Sequence, residues 1–182
     1  MALTAKGEAR REVLLSAVIR LLEREGPSGI THRSVAAEAG LPVAAATYYF
    51  TDIDDLLISA LTRATAEQSA LFAHVRASDT GRLAELLHTW IYDRRGDAIA
   101  QYELLLLAMR RDSLRDAANR WYETLEHALA AAGLDEATVA SASLALDGLM
   151  LRMLWRGEPA TVADLESTLR GILQPARSAG PT

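Results

Sequence analysis

The sequence predicts an all-α protein, with three short helices before residue 50 and about six longer ones after it. Three observations carry that expectation. Apolar residues recur at three- and four-residue spacing from Val13 to Ile172, the pattern that lines one face of a helix. No segment has the strict apolar–polar alternation of a half-buried strand. Short runs of Gly, Pro, Asp and Ser separate the periodic segments, breaking helices without making long loops.

The elements follow in order. Val13, Leu14, Ala17, Val18, Leu21 and Leu22 form the apolar face of a first helix, which "EGPSG" stops. Thr31 is placed to cap a short second helix ending at Gly40. Leu41-Pro42 turns the chain into "VAAATYYF" (43–50), with Pro42 suited to a first helical turn. A fourth helix starts at "TDIDDLLISAL", where Asp52, Asp54 and Asp55 complement the positive end of the helix dipole. Breaks at "ASDTG", "RRGD", "RRDS", "AGLDE" and "RGEPAT" delimit helices near 81–94, 97–110, 113–132, 135–156 and 161–174. The tail "QPARSAGPT" is expected to fray.

Composition narrows the classes of function. With no cysteine, disulfides, zinc–thiolate sites and thiol chemistry are excluded. His74, His88 and His127 lie far apart and lack an i, i+4 partner, so no metal site is expected. No nucleophile–base grouping or phosphate-binding glycine loop is visible, so neither an enzyme nor a cofactor is expected. The start "MALTAKGEARRE" turns charged too early for a secretory signal, and the longest apolar run, "LLLLAM", is far below the roughly 18 residues of a spanning helix. The expectation is a soluble, intracellular (cytoplasmic) protein that does not enter membranes.

The net charge of −5 argues at first against a nucleic-acid partner. It is unevenly spread. Residues 1–50 hold six basic side chains (Lys6, Arg10, Arg11, Arg20, Arg24, Arg33) against five acidic ones (Glu8, Glu12, Glu23, Glu25, Glu38), so the acidity belongs to the rest. The two short helices joined by "AGLP" have the spacing of a helix-turn-helix, in which the second helix enters the major groove. Ordinary helical packing produces the same spacing.

More specific is a family likeness. The apolar helix ending "LLEREG", the block "THRSVAAEAGL", the segment "TYYF" and the acidic start "TDIDDLL" together resemble the N-terminal domain of the TetR family of bacterial transcriptional regulators over Val13–Leu57. The resemblance implies a helix-turn-helix DNA-binding domain at 1–50 and a ligand-binding and dimerisation domain at 51–182. It implies that Thr31, His32 and Arg33 contact DNA, with Arg33 the leading base or phosphate donor. Val43, Ala44 and Ala45 would face base edges. Thr47, Tyr48 and Tyr49 would reach phosphates and the groove wall, Thr51 would add a phosphate contact, and Phe50 would anchor the reading helix to the core.

Three positions depart from the family pattern. Pro42 stands where a capping hydroxyl is usual, Ala45-Ala46-Thr47 replaces a frequent Thr-Leu-Tyr, and Ile53 replaces a frequent lysine. The reading helix therefore has no charged side chain. Its small residues would let the backbone sit deep in the groove, where Val and Ala methyls pack on thymine methyls. Arg33 and Lys6, Arg10 or Arg11 would bring positive charge from outside that helix, and DNA shape would share in the choice of sequence.

Residues 135–156 are apolar or small nearly all round, which predicts a helix buried on most sides. Ala137, Ser141, Ala145 and Gly148 form a small-residue stripe, and Val162, Leu165, Leu169 and Ile172 an apolar one. Together they suit a two-fold interface of two helices per subunit, a homodimer; completion of the subunit's own core is the alternative. Large side chains gather in the middle helices, and by the family likeness Trp90, Tyr102, Met109, Trp121 and Met150 would line a pocket for an apolar or aromatic small-molecule effector, with Tyr92, Tyr122, Met153 and Trp155 nearby. Asp147 and Glu103 suit either a ligand amine or a hydrogen bond to a neighbouring helix.

The expected function is thus a homodimeric regulator, a repressor, that binds palindromic double-stranded operator DNA and is released by a small molecule. The alternative is a helical small-molecule-binding protein or enzyme that does not touch DNA. The block 31–51 discriminates, because only a DNA reader needs it in this form.

Overall fold

The structure is a computed structural model that describes residues 4–156 and 160–173. Among these residues there are nine α-helices and no strand: α1 (Ala5–Glu25), α2 (His32–Glu38), α3 (Val43–Tyr49), α4 (Ile53–Phe72), α5 (Thr80–His88), α6 (Arg95–Ala108), α7 (Arg115–Ala131), α8 (Glu136–Arg156) and α9 (Val162–Leu173). Short 3-10 turns lie at Pro27–Gly29 and Asp112–Leu114, and a π-helical turn at Thr89–Asp93 continues α5. The expected fraying of 174–182 falls outside the described residues.

The expectation of three short helices before residue 50 is corrected at its first member. Helix α1 has 21 residues, because Thr4 caps it well ahead of the apolar pattern, its side chain accepting a hydrogen bond from the Gly7 amide. The early turns are carried by good helix formers rather than by a buried face. Gly26 ends the helix with φ 67, a left-handed conformation that glycine adopts without a Cβ clash. Helix α2 opens with a reciprocal capping box, the Thr31 hydroxyl accepting from the Ser34 amide at 3.0 Å while Ser34 Oγ accepts from the Thr31 amide at 2.9 Å. At α3, Pro42 is the N-cap itself, with extended backbone, rather than a first-turn residue. Asp52 and Asp55 shape the head of α4 as expected: Asp52 accepts from the Asp55 amide at 2.8 Å, and Asp55 from the Thr51 amide at 2.9 Å.

The backbone gathers into two bodies. One is built from the chain up to Ala66 together with Gly96–Trp121, the other from Glu67–Arg95 and the chain from Tyr122 onward. In the first, α1 packs on α2 and α2 on α3. Leu14, Leu15, Val18, Leu22, Val35, Phe50, Leu56, Leu57 and Leu61 make its core. The Arg63 guanidinium ties α4 to α1 by donating to Ser16 Oγ at 2.8 Å. Asp54, in the first turn of α4, accepts from Arg111 at 2.7 Å and from Ser113 Oγ at 2.6 Å.

In the second body α5 packs along α9, and α8 on α9. Trp90, Ile91, Leu87, Leu165 and Leu169 are buried there. The Tyr92 hydroxyl accepts from the Ala160 amide at 2.8 Å, and Arg94 pairs with Glu67 at 2.9 Å. Helix α8 corrects two expectations. It is 21 residues long and holds an 18-residue window of mean hydropathy 1.3, long and apolar enough to cross a membrane by length and composition alone, although no continuous apolar run in it is long. Yet only 44% of that apolar window is buried, so it is not covered on most sides.

Candidate nucleic-acid interface

The geometry of α3 divides its residues cleanly. Ala46 and the cap residue Phe50 are buried, while Val43, Ala44, Thr47 and Tyr48 are exposed on one face. Phe50 takes the anchoring role expected of it. Arg11 lies over its ring, 5.3 Å from the centroid, and donates to Ser59 Oγ at 2.8 Å. Arg11 is therefore tied into the packing between α1 and α4, which leaves Lys6 and Arg10 as the better placed of the three alternatives for offering positive charge to a partner.

The other basic residues of the first 50 positions also fall into two sets. Arg20 and Arg24 both donate to Glu38, at 2.6 and 3.0 Å, and Arg24 also pairs with Glu25. The Arg20 and Arg24 hydrogen bonds hold the Glu38 carboxyl below its ordinary range. Lys6, Arg10 and Arg33, in contrast, are exposed and make no hydrogen bond or ion pair among the described residues. Lys6 and Arg10 are four residues apart and share a face of α1. Arg10 forms one wall of a groove of about 490 Å³ whose other side is Leu41, Pro42, Ala44, Ala45, Tyr48 and Tyr49. The two tyrosine rings meet edge to face with centroids 5.0 Å apart, leaving Tyr48 73% exposed. An open groove with an unpaired guanidinium, two phenols and an apolar floor suits a sugar–phosphate strand.

The remaining candidates on this face behave less uniformly. Thr31 is exposed, though its hydroxyl already caps α2. Nε2 of His32 is buried without a hydrogen-bond partner, so the half-buried ring turns that nitrogen away from solvent. The Thr47 hydroxyl donates back to the Ala44 carbonyl at 3.3 Å, and Thr51 to Asp55 at 3.3 Å.

The residues expected around an effector fall in both bodies. In the first, Tyr102 and Trp121 are buried with rings 6.4 Å apart, whereas Met109 is 75% exposed. In the second, Trp90 and Met150 are buried; the Trp90 indole N–H has no acceptor, and Arg94 lies 4.9 Å from its ring centroid. Met153 is buried too, but Trp155 is an exposed side chain. Asp147 is hydrogen-bonded to Tyr122 of α7; burial first, and then that carboxylate, raise the tyrosine's pKa. A cleft of about 650 Å³ lies elsewhere in this body, between the loops before α5 and α8 and the helix α9, lined by Asp79, Thr80, Asp135, Thr138 and Glu166 among others. Sequence reading took those loops only as helix breaks.

The interface candidates separate as well. Ser141, Ala145 and Gly148 are exposed on α8. Leu165 and Leu169 are fully buried in the body's own core, which corrects their placement on an outer surface, and Ile172 is half-buried. The apolar stripe on α9 faces α5. What sequence reading missed is that Leu144, Leu151 and Trp155 are exposed beside the small residues. Positions 137, 141, 144, 148, 151 and 155 alternate four- and three-residue steps, the repeat of a helix–helix seam, and that spacing was the available signal.

Residues 75–175 match the family model described as "Tetracyclin repressor-like, C-terminal domain". The chain belongs to the TetR family of transcriptional regulators. Solved TetR-like structures extend the match over nearly the whole chain. A TetR family member from Streptomyces coelicolor A3 is 34% identical with a TM-score of 0.80, covering 91% of this chain and 99% of its own. The multidrug binding protein EbrR, solved with ethidium, is 34% identical with a TM-score of 0.75 and the same coverage. EbrR with malachite green gives 35% identity, a TM-score of 0.75, and coverage of 91% and 99%. No curated protein matches the chain.

Proposed function

We propose that this TetR-family protein is a cytoplasmic homodimeric repressor that binds a palindromic operator and is released by a flat aromatic small molecule. The observation that carries the DNA-binding part is the division of the basic side chains: Arg11, Arg20 and Arg24 are engaged internally, and Lys6, Arg10 and Arg33 are free around the α2–α3 unit. A net-acidic protein that leaves three cations without partners among the described residues, one of them in the wall of an open groove, is fitted to a polyanion. In this reading Arg33 makes the leading contact, Val43, Ala44, Ala45 and Thr47 meet base edges, and Lys6, Arg10, Tyr48, Tyr49 and Thr51 hold the backbone. Thr31 and His32 act mainly by shaping the start of α2.

Two-fold pairing through the exposed face of α8 would make the homodimer that a palindromic operator, with half-sites one turn apart, calls for. The aromatic effector class rests on EbrR, whose structures hold ethidium and malachite green, and on the buried aromatic residues Trp90, Tyr102 and Trp121. The test is retention on fragmented genomic DNA across a salt series. Two phosphates neutralised per subunit, by Lys6 and Arg10, predict a log–log slope of about −4 for a dimer. Failure to retain DNA at low salt would favour the alternative of a ligand-binding protein without DNA contact.

A further inference from the structure

The reading face of α3 has a chemical peculiarity with a regulatory consequence. Among its exposed residues, Val43 and Ala44 present only methyl groups. Thr47 directs its hydroxyl proton to the Ala44 carbonyl at 3.3 Å, leaving no donor there. Tyr48 and Tyr49 carry hydroxyls at the C-terminal end of the helix, where with Ala44 they line the groove walled by Arg10. Val43, Ala44 and Thr47 thus offer methyl groups and no free donor to the edge of a base pair.

The major-groove edges of T·A and C·G are told apart in two ways, by the pattern of donors and acceptors and by the C5-methyl of thymine. A face without donors loses most of the first. Resting on the operator-binding reading above, we propose that Val43, Ala44 and Thr47 read the C5-methyl groups of pyrimidines, so that 5-methylcytosine is accepted in place of thymine and operator occupancy responds to cytosine methylation. Arg33, on α2 and free of partners, remains the group that reads acceptors such as those of guanine. Specificity thus divides between a methyl-reading helix and one arginine fork beside it.

The experiment begins with operators selected by the full-length protein from a thymine-containing genomic pool. Each selected site is then prepared in three further forms: with deoxyuridine for thymidine, with cytosine at the thymine positions facing α3, and with 5-methylcytosine at those same positions. Burial of one methyl corresponds to about fourfold in affinity. The proposal expects the uracil form to bind at least about fourfold more weakly, the cytosine form to bind as weakly, and the 5-methylcytosine form to recover most of the loss. Val43→Ala, at an exposed position, should narrow the thymine-to-uracil ratio while thermal unfolding stays unchanged. Equal affinity for thymine and uracil operators overturns the methyl reading and leaves the regulator reading intact. A 5-methylcytosine form no tighter than the cytosine form also overturns it. A pool that yields no selected site overturns both readings.

Discussion

Two exposed helix faces, on α3 and on α8, are built from the same kind of residue and are fitted to different partners. Both lack charge at their centres: Val43, Ala44 and Thr47 on one, Ser141, Leu144, Gly148 and Leu151 on the other. What differs is length and rim. The α3 face is two turns long and bordered by Arg10 and the tyrosines, with unpaired cations on α1 and α2. The α8 face runs five turns and ends on Trp155, 83% exposed. Small residues bordered by an arginine and two phenols suit a polyanion that approaches closely. Small residues flanked by leucine and tryptophan in a 3–4 repeat suit another apolar helix. The comparison teaches that the central residues permit close approach and the border selects what approaches.

The largest effect should come from removing what holds α3 in place. Phe50 is 1% exposed and stacked under Arg11, so Phe50→Ala leaves a cavity beneath the reading helix. The expected loss is about 3–5 kcal/mol of folding stability in chemical denaturation. A loss under about 1 kcal/mol would mean that α3 is anchored by something other than its buried cap.

The α8 face can be broken with little disturbance inside the subunit. A Cβ at Gly148 would meet nothing within 4 Å, so Gly148→Leu fits the isolated chain and should even favour the helix. Across a close two-fold contact it would overpack, at a cost of about 1–3 kcal/mol in association. Light scattering over a dilution series should show the dimer dissociating at higher concentration while helicity is kept. An unchanged dimer would move the interface off this face.

These two faces were unequally legible. The α2–α3 unit was readable because capping and turn residues act locally: Thr31, Gly40, and Asp52 with Asp55 do in the structure what their neighbours in sequence suggest. The separation of Arg10 from Arg11 was not readable. Both are arginines on α1, and only the rotation of the helix against α4 directs one to Ser59 and leaves the other at the groove. The α9 stripe fails for a related reason. Periodicity says that Leu165 and Leu169 are buried, but the same pattern serves packing within a subunit and packing between subunits. Met109 and Trp155 show the limit for large side chains, since size and apolarity do not tell which way a helix turns them.

A sharper test of the α3 rim is Arg33→Ala. The side chain is exposed and makes no hydrogen bond or ion pair among the described residues, so its removal should leave folding unchanged. Loss of a bidentate base contact would weaken operator binding by about 1–3 kcal/mol in a shift assay, with relaxed preference at one base position. A uniform loss across sequences, with a salt slope shallower by about one per contact, would assign Arg33 to phosphate instead.

The smallest expected effect concerns the chain just beyond α3, where Asp54 fixes the head of α4 to Arg111 and Ser113. The Ser113 hydrogen bond first, and the Arg111 guanidinium after it, hold the Asp54 carboxyl below its ordinary value of 3.8, against an opposing push from partial burial. A carboxylate with a lower pKa in the folded state stabilises that state above 3.8, and the contribution is lost as pH falls from there through the depressed value. The side chains on both sides are partly exposed, so the pair is worth no more than about 1 kcal/mol. Asp54→Asn should therefore lower stability slightly at neutral pH and flatten the loss of stability as pH falls below 3.8. The flattening is partial, because Glu38, held low by Arg20 and Arg24, titrates with the same sign in the unchanged part of the unit. The measurement is denaturant unfolding at a series of acidic pH values for both proteins. Parallel curves would mean that Asp54 keeps its contacts without favouring its charged form, and the start of α4 would then owe its geometry to Asp52 and Asp55 alone.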